Sequence, residues 1–312
     1  MSFIQSILGD FLVRDSWPQM VARLAQDDKE FNDMSSQETV PATFESLCEW
    51  VYVYELIRSR DLGRRYRFLH QPGNTLSLSG SDGRGREVTI RFQGFLGQHN
   101  LKPLGNWRGE LRNAHKAVQF VELGCGPFID QMESQISCVA NIKKLVFRDV
   151  LNPQDASAAL PESTNVDRTL SFQRRVFTKI VSGNDSTPSV LSIMDDPTRQ
   201  AASVSKFWRV TTKIAFGRKT IEGRVERCNH RAFSPGDFID VTARIDIANV
   251  RTKYDVNTLK VFLAPITIVQ LCKAEDVNQA MGVERTPQVS DEEIATVGGL
   301  ESGGIVFDYI HG

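Results

Sequence analysis

The spacing of apolar positions changes twice along this chain. Near the start it is helical. Phe44, Leu47, Val51 and Tyr54 form a stripe that Trp50, Val53 and Ile57 widen. Thr43 stands where an N-cap belongs and Gly63 near a stop. An earlier amphipathic segment over 3–24 is interrupted by Pro18, and 26–41 is polar and acidic. This pattern predicts a helical N-terminal segment. Over residues 64–93 the period becomes two: Tyr66 and Phe68, then Leu76 and Leu78, then Val88, Ile90 and Phe92. Pro72-Gly73-Asn74 and the cationic stretch SGSDGRGR (79–86) supply the turns, so a small β meander is expected. A glycine-rich connection (94–109) follows, then a strand at 117–124, a helix at 129–140 and another strand at 142–150. Residues 151–167 carry Pro and Ser without a period and read as a linker.

Beyond the linker the strand signal is strongest. Residues 169–181, 190–194, 206–216, 220–228, 237–247 and 259–271 read as strands, with turn residues at Gly183-Asn184-Asp185, Asp196-Pro197, Gly217 and Ser234-Pro235-Gly236. The expected fold class is α+β. Residues 1–150 form a helical and β domain, 168–273 a mostly antiparallel β-barrel or β-sandwich, and 274–312 an acidic, flexible tail.

Composition fits a globular protein: of 312 residues 41% are hydrophobic and 24% charged, too apolar for disorder to be the main state. The net charge of −1 hides an asymmetry. Residues 168–273 hold 18 lysines and arginines against 9 acids, a net +9, while the remainder holds 19 against 29, a net −10. A basic module in an acidic chain points to an anionic partner, or else to charge balance within the molecule. The five cysteines are odd in number and widely spaced, as in reduced intracellular proteins. The first residues lack the basic region of a secretory signal, and no run approaches the roughly 18 apolar residues of a membrane span. The expectation is an intracellular protein, nuclear or cytoplasmic, without a membrane partner.

The strands of the basic module alternate between two faces. Arg175, Phe177 and Lys179 share a face, as do Phe207, Arg209 and Lys213, and Lys260 and Phe262; Arg244 lies opposite the apolar face of 237–247, and Arg224 sits on the intervening strand. Cations offset phosphate charge and flat rings stack on unpaired bases, so these ten residues are the candidate surface for single-stranded nucleic acid. The competing explanation is a packed face, with phenylalanines in the core and arginines snorkelling.

The strand set, the entry Pro235-Gly236-Asp237-Phe238-Ile239-Asp240-Val241 and the closing strand KVFLAPITIVQL resemble OB-fold single-strand-binding domains of the replication-protein-A type, over about residues 169–272. The resemblance implies a noncatalytic domain that binds single-stranded DNA or RNA. It departs in one respect: little room is left for a helix between the third and fourth strands, which keeps another small barrel or a sandwich open.

A second pattern lies at VELGCGPF. Glu122, Gly124 and Gly126 resemble the glycine-rich turn of S-adenosylmethionine-dependent methyltransferases, with Asp149 as a ribose-binding acid after a second strand. Phe128 occupies the third glycine's place, and consecutive strands follow where strand–helix units belong. A tight turn with a structural glycine pair is the stronger explanation of these residues. Cys228 and His230 lack a second ligand pair, and no nucleophile-elbow, zincin or Walker pattern occurs, so neither a metal nor a cofactor is expected. The terminal FDYIHG reads as a disordered end, a docking peptide or a self-masking tail. Single-strand binding leads these readings. A capsid-like or scaffold subunit that self-associates or holds a protein partner comes second, and a divergent methyltransferase third.

Overall fold

The structure, a computed structural model, describes residues 2–17, 34, 38–59, 63–71, 86–151, 168–180, 189–251 and 257–280. The Pro72-Gly73-Asn74 turn, Leu76, Leu78, most of the cationic stretch, residues 152–167 and the tail beyond 280 lie outside the described residues. In chain order the strands are β1 (Ser2–Ile4), β2 (Thr39–Val40), β3 (Val51–Ser59), β4 (Gly63–His70), β5 (Thr89–Asn100), β6 (Val118–Gly124), β7 (Thr169–Arg175), β8 (Thr178–Lys179), β9 (Trp208–Arg209), β10 (Ala215–Lys219), β11 (Val225–Arg227), β12 (Phe238–Arg251) and β13 (Asn257–Cys272). The α-helices are α1 (Phe44–Trp50), α2 (Ile129–Val150) and α3 (Ala274–Ala280).

The expected helical N-terminal segment is corrected. Only α1 is helical in the stripe at 44–57, capped by Thr43 Oγ1, which accepts from Ser46 N at 3.2 Å. From Val51 the run VYVYELIRS becomes β3, because β-branched and aromatic residues favour a pleated surface and β4 is there to pair with it. Residues 2–17 form β1 and a 3-10 turn at Val13–Ser16 rather than an amphipathic helix. The strand expected at 142–150 is the second half of α2. Ile142, Leu145 and Val146 continue the buried stripe of Met132, Cys138 and Val139 at three- and four-residue steps. The expected strand at 190–194 is absent, and 206–216 yields only β9 and the start of β10.

A barrel or sandwich confined to residues 168–273 is likewise overturned. One nine-stranded mixed sheet runs β11-β10-β13-β7-β6-β5-β1-β2, with β12 paired to both β13 and β5. Strands on both sides of residues 151–167 therefore build it. β6 pairs antiparallel with β7 from Val118↔Arg175 to Gly124↔Thr169, and β5 with β12 from Phe238↔Phe95 to Arg244↔Thr89. The pairings β5-β6-β7-β13-β12-β5 run in a circuit whose narrowest link is the single parallel pair Leu263↔Phe172. Just past that pair, β13 exchanges its neighbour β7 for β10, which pairs from Ala215↔Thr267 onward. Arg174 occupies this fork, donating to the backbone oxygens of Pro265 at 3.5 Å and Thr212 at 3.2 Å and to Thr212 Oγ1. Burial, then the charge of Arg244, lowers its pKa to about 10 against the pull of Asp246.

The main core lies between the sheet and α2. Phe92 meets Phe172 edge-on at 5.2 Å, and Val121, Ile239, Val241 and Ile268 are fully buried around them. Each such side chain contributes roughly 1.5–3 kcal/mol. A separate small core holds Trp107, Ala114, Ala117, Val176, Phe177, Val204 and Val210. It joins residues 101–117 to residues 176–180 and 189–214, and forms a satellite beside the sheet.

His70 ends β4 buried, its ring edge-on to Trp50 at 4.6 Å and its Nδ1 without a hydrogen-bond partner among the described residues. Burial first, then nearby positive charge including Arg86, lowers its pKa from 6.5 to about 4. The unfolded chain takes up the proton near pH 6.5 and the folded chain only near 4. Stability present above about pH 6.5 is therefore lost as pH falls, by up to about 3 kcal/mol. Urea unfolding at about pH 7 and pH 4.5 measures this loss, and His70→Leu is expected to remove it. The same pH dependence in both proteins would refute the assignment.

Candidate functional site

Directly paired residues of antiparallel strands project to one face. Across β6, β7, β13 and β12 the inner face carries Val121, Leu123, Leu170, Phe172, Leu263 and Ile245, all buried. The outer face is set by the pairs Val118↔Arg175, Phe120↔Gln173, Glu122↔Ser171, Asp246↔Phe262 and Ala248↔Lys260. Ser171 is exposed there, and Phe120, Gln173, Arg175, Lys260 and Phe262 are half-buried. Arg244 shares this face and gives its Nε to Asp246 at 2.8 Å, in an ion pair about 40% exposed on either side. Four of the ten candidate residues, Arg175, Arg244, Lys260 and Phe262, are thus gathered on one open face. Phe120 and Gln173 complete it. Phe120 was passed over because its strand falls in residues 1–150, outside the basic module, although the alternation VQFVE was the signal; Gln173 carries neither charge nor ring.

The other six candidates do not join this face. Phe177 is 3% exposed and meets Trp107 edge-on at 4.9 Å, so it is a core residue and not a stacking platform. Lys179 pairs with Trp208 across the short β8-β9 ribbon, whose other pair is Thr178↔Arg209. Phe207 is 49% exposed, with Lys206 Nζ 5.4 Å from its ring centre. Lys213 Nζ is held by Asp195 Oδ2 at 2.7 Å. Arg224 is exposed where β10 turns into β11, its carbonyl accepting from Thr220 N at 2.7 Å.

The satellite has a charge balance that strand patterning did not reveal. Residues 101–117, 176–180 and 189–214 carry nine lysines and arginines against three acids. Each acid is engaged internally. Glu110 Oε2 accepts from Asn113 at 2.5 Å, Asp195 holds Lys213 and Ser192, and Asp196 accepts from the backbone of Gln200 and Ala201 at 2.9 and 2.8 Å. Lys102, Arg108 and Arg112 are exposed, and Lys116 is half-buried. These four were missed because they precede the linker, although the count was there to be made. The satellite adjoins the outer face at Ala117 and Val176, which follow directly on the Val118↔Arg175 pair.

Two clefts open beside it. One, of about 600 Å³, is lined by Phe177, Trp208, Val210, Arg199, Arg209 and Ser205 among others. The second, of about 400 Å³, lies between Gln119, Lys213, Phe216, Arg227 and His230. Burial, then Arg231, lowers the pKa of His230; Asp195 opposes the shift and Lys102 adds to it.

The glycine-rich turn after β6 has a packing role. Gly126 adopts φ +53°, and a Cβ there would stand 2.9 Å from the Phe95 ring. Gly124 ends β6, and Glu122 is on the outer face opposite Ser171. Asp149 follows no strand. It lies in the last turn of α2, bonded to Arg148 at 2.8 Å and about 30 Å along the helix from the turn. Glu122, Gly124, Gly126 and Asp149 are therefore not brought together. Among the described residues no group of three or more His, Cys, Asp or Glu is placed to hold a metal, and no helix is long and apolar enough to cross a membrane. No family model, curated protein or solved structure matches the chain.

Proposed function

We propose that this protein binds single-stranded nucleic acid, DNA or RNA, along the outer face of β6, β7, β13 and β12 and onto the basic satellite. The observation that carries the reading is the satellite's charge: nine cations against three acids, of which Asp195 holds Lys213 and Asp196 caps backbone amides. Such a surface attracts a polyanion and releases its counterions. The half-buried rings of Phe120 and Phe262 lie on the adjoining face, where stacking contributes about 1–3 kcal/mol per base. A duplex hides its bases and gains only the electrostatic part.

The strand order supports the same reading. Three consecutive antiparallel strands, β5, β6 and β7, are followed by β12, which returns to pair with β5, and by β13 between β12 and β7. This is similar to the Greek-key path of OB-folds, whose second and third strands, with the loop between the first and second, bind oligonucleotides. On this reading β6, β7 and residues 101–117 take those places.

Fluorescence anisotropy with labelled single-stranded DNA, single-stranded RNA and duplex, at two salt concentrations, tests the proposal. Single strands are expected to bind more tightly, with affinity falling steeply with salt. The triple change Arg108→Glu, Arg112→Glu, Lys260→Glu is expected to weaken binding roughly 10- to 100-fold and to flatten the salt dependence. No binding of any of the three at low salt would end the proposal.

A further inference from the structure

We infer that the 600 Å³ cleft of the satellite is a pocket for one nucleotide of the bound strand, with the base against Trp208 and the phosphate on Arg199. The inference rests on the single-strand reading. The cleft's size falls within the usual range for small-molecule sites. One wall is apolar, where Trp208 is half-buried on the satellite core beside Phe177 and Val210; Ser189, Ser192, Ser205 and Asp196 also line the cleft. Its rim carries Arg199 and Arg209.

Arg199 is the residue that points to a ligand. It is exposed, and among the described residues its guanidinium has no hydrogen-bond or ionic partner. It is also the one non-glycine residue with positive φ among the described residues, at φ 54°, ψ 34°. The backbone needs that conformation. Arg199 N donates to Asp196 O at 3.0 Å, which closes the turn, and the Asp196 carboxylate then caps the backbone amides of Gln200 and Ala201. Glycine would make the same turn without the steric cost of a Cβ. What glycine lacks is the guanidinium, a planar cation suited to a phosphate. Strained residues of this kind cluster at ligand sites. With its phosphate held at the rim, a nucleotide's base reaches the Trp208 wall only if it is unstacked, so the pocket also favours single strands over duplex.

Full-length protein carrying Arg199→Gly or Trp208→Leu tests this by titration with adenosine 5′-monophosphate, adenosine and inorganic phosphate, and by anisotropy with a single-stranded oligonucleotide. The wild type is expected to bind the monophosphate more tightly than adenosine or phosphate alone. Arg199→Gly is expected to keep or raise the melting temperature while weakening monophosphate and oligonucleotide about ten-fold. That combination separates a ligand role from a structural one. Oligonucleotide binding unchanged in both variants, while the Arg108, Arg112, Lys260 triple change still weakens it, would overturn the pocket and leave the surface reading intact. Monophosphate binding lost in Arg199→Gly, in a protein that binds no oligonucleotide, would keep the pocket as a free-nucleotide site and end the strand-binding reading. A wild type that binds neither would overturn both.

Discussion

Asp240→Ala is expected to cost about 3–5 kcal/mol of folding stability, because it removes the buried carboxylate that holds the half-buried Arg91 guanidinium and leaves the buried Gln93 amide without this acceptor. Asp240 lies on β12, 2% exposed. Its carboxylate takes Arg91 Nη2 at 2.7 Å, Arg91 Nε at 3.0 and 3.2 Å, and Gln93 Nε2 at 3.0 Å, the last two residues both from β5. Phe3 of β1 lies against the same Arg91, 4.4 Å from guanidinium carbon to ring centre. One carboxylate thus adds a side-chain tie to the β12–β5 ladder, between residues 149 apart in sequence. The loss is expected as a lower urea midpoint with an unchanged slope. The paired change Arg91→Met, Asp240→Leu is expected to be far milder, since it removes both charges together. A loss under about 1 kcal/mol for Asp240→Ala would mean that water reaches Arg91 and that the pair is not what joins the two strands.

Gly105→Ala is expected to cost more than about 3 kcal/mol. Gly105 has φ +58°, and a Cβ there would stand 2.1 Å from Val118 O, 2.6 Å from Val118 C and 2.9 Å from Val176 Cγ2. No side chain can move aside to relieve a clash with backbone. The loop carrying Lys102, Arg108, Arg112 and Lys116 would have to lift from β6, breaking the bond from Asn106 N to Val118 O at 3.1 Å. Gly109 is the control. Its φ is also positive, +93°, but a Cβ there meets nothing within 4 Å, so Gly109→Ala is expected to cost only about 1–2 kcal/mol. Hydrogen exchange is expected to accelerate over 104–118 and 176–180 in Gly105→Ala and to leave β12 and β13 protected. Uniform acceleration would mean that the satellite and the sheet unfold as one unit. If the satellite carries the charge that binds nucleic acid, Gly105→Ala also weakens that binding in the folded sheet.

The alternation in 237–247 and 259–271 was enough to locate β12 and β13, because each is long, β-branched and bounded by turn residues. Ser234-Pro235-Gly236 was legible as a turn, and Asp237 N closes it on Ser234 O at 3.1 Å. Thr43 was legible as a cap. These are local facts, set by neighbours within a few residues. The glycine-rich stretch after residue 93 was misread for an equally local reason. Gly94 and Gly97 weaken strand propensity, yet both lie inside β5; at Gly94 the strand β6 comes so close that a Cβ would stand 3.0 Å from Gly124 O. The run Leu145-Val146-Phe147 looked like strand because three apolar residues in a row obscure a helical stripe; in α2 all three are buried.

By itself, then, the sequence determined where the chain alternates, where it turns and how its charge divides. Tertiary structure alone decided what covers each alternating face. Arg175 and Phe177 are two residues apart and share one expected face, yet Arg175 ends β7 on the outer side and Phe177 enters the satellite core against Trp107. Period two states that side chains alternate; it does not state which strand lies alongside or whether the face meets water. Those depend on pairings such as β5 with β12, made across nearly half of the chain, whose register is set by burying Phe92 and Val241 on one side and joining Arg91 to Asp240 on the other.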